Sequence, residues 1–182
     1  MISRKDALEM VKKELNQKNL VKHVLATEAV MRALAEEMGE DKDVWGMAGL
    51  LHDLDYEYTS GEPSKHAKMT VEMLKDKDVP EDVLDAILAH NEQKPRESTI
   101  EKAIYSADPV TGFIVASVLI RKGTKLKDLD VPFLINRFKE KSFARGANRD
   151  QMSSCEELGL SLESFLGISL EAMQGISEDL GL

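Results

Sequence analysis

The sequence predicts an all-α chain, folded as a one-domain helical bundle over residues 1–182. Three observations carry that expectation. Apolar residues recur at spacings of three and four over most of the chain, the period of a helix buried along one face. The single β-branched run, residues 110–120, lies between helical patterns and has no second strand to pair with. Helix punctuation, in the form of N-cap residues, proline and first-turn acids, falls where three of the apolar stripes begin, at Ser64, at Pro80-Glu81-Asp82 and at Ser161.

The elements follow in order. Leu20, His23, Val24, Thr27, Val30, Met31 and Leu34 share one face of a first long helix. Val44, Trp45, Ala48, Leu51 and His52 make a second stripe, with Asp53 at the end of that helix. Adjacent residues lie about 100° apart around a helix, so His52 and Asp53 converge on one point only at a helix end. A third helix is expected to start near Ser64 as N-cap and to carry His66, Met69, Met73 and Leu74. Pro80, Glu81 and Asp82 open a fourth, on which Val83, Ile87 and His90 share a face. A fifth runs through Ile100, Ala103, Ile104 and Ala107 to Asp108. Pro109 disfavours α geometry at the residue before it, so a helix break is expected at Asp108. Residues 110–120 then read as a buried helix. Ser161 caps a last amphipathic helix with Leu162, Phe165, Leu166, Ser169, Leu170, Met173 and Ile176 on one face, serving the core or an oligomer contact.

Bulk properties bound the function. A chain of 182 residues with 42% hydrophobic and 31% charged residues can build one real core. The net charge of −9 argues against a general nucleic-acid binder, because phosphate backbones need a basic face. It leaves room for a small anionic substrate, since a bound metal sets the local field. One cysteine, Cys155, excludes an intramolecular disulfide and fits a reducing, cytoplasmic setting. The first 17 residues lack the apolar core of a signal peptide, and the longest apolar run is too short to span a bilayer. A homo-oligomer stays open.

All four histidines, His23, His52, His66 and His90, fall on apolar stripes. A lone buried histidine is explained by a hydrogen bond inside the core. Four of four, accompanied by Asp53 and Asp108, are better explained by a shared cation that satisfies one nitrogen of every ring. Imidazole and carboxylate together suit a divalent transition metal, here Mn, Fe, Zn, Co or Ni, as one or two ions.

The order His23, His52-Asp53, Asp108 resembles the signature of the HD superfamily of metal-dependent phosphohydrolases. The run Ala48-Gly49-Leu50-Leu51-His52-Asp53-Leu54-Asp55 is similar to the family's His-Asp helix, with Leu54-Asp55 where many members have Ile-Gly. The resemblance covers residues 20–110 and implies an all-α HD domain, with residues 111–182 packing on that core. Family members with two metals carry histidines between the His-Asp pair and the last aspartate, which implies a second ion at His66 and His90. Residues 141–149, with Lys141, Arg145 and Arg149, are similar to a segment in a bacterial and archaeal branch of HD proteins.

The resemblance implies hydrolysis of a phosphomonoester or phosphodiester, as of a nucleotide or another small phosphate ester, by a metal-activated hydroxide. Its ligands are His23, His52, Asp53 and Asp108, with Asp53 bridging, His66 and His90 on the second ion, and His52 and Asp53 at the centre of the chemistry. Arg145 and Arg149 are candidates to hold the substrate phosphate, followed by Lys141 and Lys68; a solvated basic surface explains them equally well. Two other readings stand beside hydrolysis. One is a two-iron oxygenase built on the same ligands, and the other is a non-catalytic signalling module that keeps its metal for structure.

Overall fold

The computed structural model describes residues 1–120 and 122–182. Every regular element among them is helical, and no strand occurs among the described residues. The helices are α1 (Arg4–Glu14), α2 (Lys18–Met38), α3 (Lys42–Leu51), α4 (Tyr56–Thr59), α5 (Lys68–Leu74), α6 (Glu81–His90), α7 (Thr99–Leu119), α8 (Val131–Lys139), α9 (Arg149–Ser153), α10 (Leu162–Gly175) and α11 (Ser177–Leu180). Short 3₁₀ turns at Leu126–Asp128 and Ser154–Leu158 complete the chain.

Local chemistry sets most of the boundaries. Asp41 caps α3 by accepting from the Asp43 and Val44 N–H groups. Ser98 and Glu101 form a capping box at the start of α7. Ser161 caps α10 as its sequence predicts, and the α10 stripe of Phe165, Leu166, Ser169, Leu170 and Met173 is buried in the core. Gly39 ends α2 at φ 71°, a left-handed conformation that glycine adopts without a Cβ penalty.

The core is one connected apolar cluster that draws on α1, α2, α3, α6, α7 and α10. At its centre α2 and α3 cross closely. A Cβ placed on Gly49 would lie 2.8 Å from the Thr27 carbonyl oxygen and 2.9 Å from the Glu28 Cα. Glycine at this position lets the two backbones approach, and that approach brings His23 of α2 beside His52 at the end of α3. Glu28 is buried on the same helix and accepts from Arg4 at 2.6 and 2.8 Å and from Arg32 at 3.0 Å. These bonds tie α1 to α2 and compensate the buried carboxylate.

Two expected boundaries are corrected. The chain does not break at Asp108. Helix α7 runs through Pro109 to Leu119, and residues 110–120 continue it rather than forming a separate helix. Proline removes one N–H from the helical ladder, and the buried residues on both sides of it, from Ile100 to Val118, hold the helix together by packing. Ser64 does not start the third predicted helix either. Residues 63–67 form turns, and α5 begins at Lys68 behind Ala67, whose φ is 69°. The cap comes from a distant residue: Asp55 accepts the Thr70 N–H at 3.0 Å, while its own N–H donates to Thr70 Oγ1 at 3.1 Å. His66 is therefore carried by a turn pinned to Asp55, not by a helix face. Sequence periodicity does not assign α1, α4, α8, α9 or α11. Helix α8 is opened by Asp130, which accepts from the Phe133 N–H.

Candidate metal centre

The six predicted ligands come from five places in the fold. His23 lies on α2, His52 and Asp53 at the C-terminal end of α3, His66 in the turn before α5, His90 in the last turn of α6, and Asp108 in the middle of α7. Their side chains meet. His23 Nε2 is 3.2 Å from His52 Nε2, and His66 Nε2 is 3.2 Å from His90 Nε2. Asp53 sits between the two pairs. Its Oδ1 lies 3.5 Å from His52, 3.2 Å from His66 and 3.6 Å from His90, and its Oδ2 lies 3.5 Å from His23. Asp108 Oδ1 is 3.1 Å from His23 and 3.8 Å from His52. Two overlapping sets have ligand spacing suited to an ion: His23, His52 and Asp108, and His52, Asp53 and His90.

The other nitrogen of every ring is already committed. His52 Nδ1 donates to the Gly49 carbonyl at 2.9 Å, and His90 Nδ1 donates to the Ile87 carbonyl. His66 Nδ1 donates to Asp55 Oδ1 at 2.7 Å. His23 Nδ1 lies 2.9 Å from Thr111 Oγ1. That hydroxyl gives its own proton to the Asp108 carbonyl, so it accepts from the ring. With Nδ1 protonated in all four, each neutral ring carries its lone pair on Nε2. Four lone pairs and two carboxylates thus converge. Among the described residues, no lysine or arginine lines the cleft into which they face. A cluster of acceptors without a donor fits a divalent cation, and the hydrogen bonds behind the rings are the support that metal-binding histidines ordinarily have.

Charge follows the same logic. Burial pushes His52 down to about 4, so it stays neutral over the physiological range. Burial also pushes His66 down, but its hydrogen bonds to Asp53 and Asp55 prevail and raise it to about 9. Burial alone would raise the Asp53 carboxyl; the imidazoles packed around it, His52, His66, His90 and His23, hold it well below the usual carboxylate range. Asp108 is lowered against its burial by His23, and His23 is raised against its own by Asp108. In the metal-free protein, protons on the rings do part of what a metal ion would do.

Around the cluster lies a cleft of about 590 Å³. Leu20, Pro109, Gly112, Ala116, Ala144 and Ala147 form its apolar walls. Tyr56, 39% exposed, stands edge-on to His66 with ring centroids 5.5 Å apart. Asn91 holds the His66 turn from behind, donating to the Pro63 and His66 carbonyls at 3.0 and 3.3 Å.

The family model for the HD domain matches residues 20–112, which runs from the start of α2 past Asp108 and contains every candidate ligand. The chain belongs to the HD domain family. HD domains bind divalent metals, and their superfamily is one of metal-dependent phosphohydrolases. Curated relatives agree. Ribonuclease Y of Nitratidesulfovibrio vulgaris (strain DP4) is 29% identical over 94 residues, covering 52% of this chain and 18% of that protein. Ribonuclease Y of Desulfotalea psychrophila is 28% identical over 137 residues, covering 72% and 26%. Ribonuclease Y of Lactobacillus gasseri is 28% identical over 93 residues, covering 51% and 17%. The chain thus spans about a quarter or less of the length of these relatives. No solved structure matches it. Among the described residues, no helix of this HD protein is long and apolar enough to cross a membrane.

The cationic residues fare differently from the ligands. Arg149 does not face the HD cluster as a phosphate clasp. Its guanidinium donates to the carbonyls of Phe138, Phe143, Ala144 and Ala147 at 2.7–3.3 Å and lies 4.6 Å above the Phe113 ring. Four of its five N–H donors hold the backbone of the segment that walls the cleft, so its role is to build that wall. Nor do Arg145 and Arg149 share a helical face, because Arg145 lies in a turn and α9 begins at Arg149. Lys68 is exposed, donates to the Ser64 carbonyl and does not line the cleft. Lys141 and Arg145 line a neighbouring recess instead.

Two supporting residues escaped sequence reasoning. Asp55 was read only as a departure in the turn after the His-Asp helix, yet it is fully buried behind His66. Thr111 lies one helical turn after Asp108 and fixes the ring of His23. The spacing of Asp108 and Thr111 was a usable signal; nothing local marks Asp55, because its partner Thr70 lies 15 residues away.

Proposed function

We propose that this protein is a metal-dependent phosphohydrolase that cleaves a phosphomonoester or phosphodiester, a nucleotide or another small phosphate ester, with residues 1–182 acting as one HD-type unit. His23, His52, Asp108 and the Oδ2 side of Asp53 would hold one divalent transition metal; Oδ1 of Asp53 with His66 and His90 would hold a second. The observation that carries the reading is the convergence of four imidazole Nε2 atoms and two carboxylates at the floor of a cleft that no lysine or arginine lines among the described residues.

Bound there, a divalent metal lowers the pKa of water and neutralises charge on phosphoryl oxygens. The chain supplies orientation and environment. The Gly49 and Ile87 carbonyls, Asp55 and Thr111 lock the four rings in the tautomer that leaves Nε2 unprotonated. Asp53 offers one oxygen to each half of the cluster. The apolar walls limit water around the reacting ester and strengthen electrostatics at the floor.

The test is a hydrolysis screen of purified protein loaded in turn with Mn, Fe, Zn, Co and Ni, against nucleotides, phosphomonoesters and a generic phosphodiester. Phosphate release by wild type that is absent in His52→Ala is the expected result. No hydrolysis under any loading, or equal hydrolysis by His52→Ala, would overturn the reading; dioxygen uptake by the iron-loaded form alone would replace it with oxygenation.

A further inference from the structure

The cleft at the His/Asp cluster is unusual for a receptor of anions. Its imidazole and carboxylate side chains are those of His23, Asp53, His66, His90 and Asp108, and among the described residues no lysine or arginine lines it. Immediately beside it lies a second recess of about 600 Å³ with the opposite character. Lys141, Arg145 and Arg149 line it, and no carboxylate does. The two spaces share Gly146, Ala147 and Gln151 as a common wall, so they adjoin.

The charge of this recess is not incidental to the chain's composition. The protein has 33 acidic residues against 24 lysines and arginines. The described arginines outside the recess are paired with acids: Arg4 and Arg32 with Glu28, Arg96 with Glu157, Arg137 with Glu140. Lys141 and Arg145 make no such pair among the described residues and are exposed in the recess. The recess is also built in place. Arg149 clamps the carbonyls of residues 138–147 and stacks on Phe113, which fixes the segment that bears Arg145. A Cβ on Gly146 would meet nothing within 4 Å, so the shared wall presents open space at this residue.

We propose that the ligand of this protein carries two phosphate groups, one at the His/Asp cluster and the second in the adjoining recess, where Lys141 and Arg145 receive it. The inference rests on the reading of the cluster as a phosphoester site and deepens it by naming the substrate class: a small organic ester with a second phosphate on the same molecule. Lys141 supplies a mobile point charge, and Arg145 a planar fork that matches phosphate oxygens.

Three matched probes test it with the metal-loaded protein: adenosine 5′-monophosphate, adenosine 5′-diphosphate and adenosine 3′,5′-bisphosphate. For each, KM is measured where hydrolysis occurs and Kd where it does not, in wild type and in the double variant Lys141→Ala/Arg145→Ala. At least one two-phosphate probe is expected to outcompete the monophosphate by about tenfold or more, the scale of one charge-assisted hydrogen bond. That preference should collapse toward unity in the double variant, which separates the recess from the general pull of the metal on a more highly charged ligand. Equal affinities in wild type, no binding of any probe, or a preference that survives the double substitution would overturn the second-phosphate site. Hydrolysis without the preference leaves the phosphohydrolase reading standing alone; the preference without hydrolysis leaves the recess standing alone.

Discussion

Asp55 accepts the Nδ1 proton of His66 at 2.7 Å with one oxygen and the Thr70 N–H at 3.0 Å with the other. One fully buried carboxylate thus sets both the ring orientation of a candidate ligand and the start of the helix that follows it. Replacing it by asparagine leaves a single acceptor oxygen and turns an amide donor toward either the ring or the backbone. Asp55→Asn is expected to weaken binding of one metal equivalent by about 10–100-fold, the usual cost of losing a ligand's supporting partner, while the other equivalent is retained. Metal titration with two resolved binding steps checks this; two unchanged steps would reduce Asp55 to a cap of α5.

Metal-free protein should show a stability optimum near pH 6–7 set by two histidines of opposite sign. His66 is raised to about 9, above the roughly 6.5 of an unfolded histidine. The folded state therefore binds the extra proton between those values, and its stabilisation is full below about 6.5 and lost as pH rises toward 9. His52 is depressed to about 4, so between 4 and 6.5 the unfolded state binds the extra proton. Stability from that group is lost as pH falls through this window. Tm measured from pH 4 to 9.5 without metal should rise and then fall. Metal loading should release protons at pH 7 and flatten the alkaline limb, because His66 must give up its proton to bind. An alkaline limb of equal slope with and without metal would count against His66 as a ligand.

Gly49→Ala is expected to cost about 1–3 kcal/mol of stability, the scale of overpacking in a close helix crossing. The added Cβ would meet backbone atoms of Thr27 and Glu28, at 2.8 and 2.9 Å, and backbone cannot swing aside as a side chain does. Because the same crossing sets the His23–His52 distance, metal affinity should fall with stability. Denaturant unfolding and metal titration of one preparation measure both. A variant as stable as wild type would show that α2 and α3 separate without strain.

Arg149→Ala should destabilise the protein by about 2 kcal/mol or more, since charged donors to four carbonyls are lost. Metal stoichiometry should stay at the wild-type value, as the guanidinium contacts no candidate ligand. Loss of metal with unchanged unfolding free energy would contradict the assignment of Arg149 to the cleft wall.

Much of this architecture is legible from periodicity. The stripes that place His23, His52 and His90 recur at helical spacing, and the Ser161 cap of α10 is local. What escapes is decided at a distance. Pro109 reads as a breaker because its cost is local, whereas the burial of α7 along its whole length outweighs that cost. Ser64 reads as a cap because serine commonly is one, whereas the carboxylate that does the capping arrives from Asp55. Arg145 and Arg149 look equivalent four residues apart. Only the path of residues 138–147 shows that one is spent on backbone carbonyls and the other is free. Histidine spacing likewise shows the apolar faces and not which nitrogen is committed; that information lies in Gly49, Ile87, Asp55 and Thr111.

The most direct test of the metal centre is anomalous diffraction at the absorption edge of the metal in crystals of the loaded protein. Two peaks are predicted, one within bonding distance of His23, His52 and Asp108, the other within bonding distance of His66 and His90, with Asp53 between them. A single peak remote from His66 and His90 would confine the centre to one ion, and metal-saturated crystals with no peak at this cluster would contradict the account.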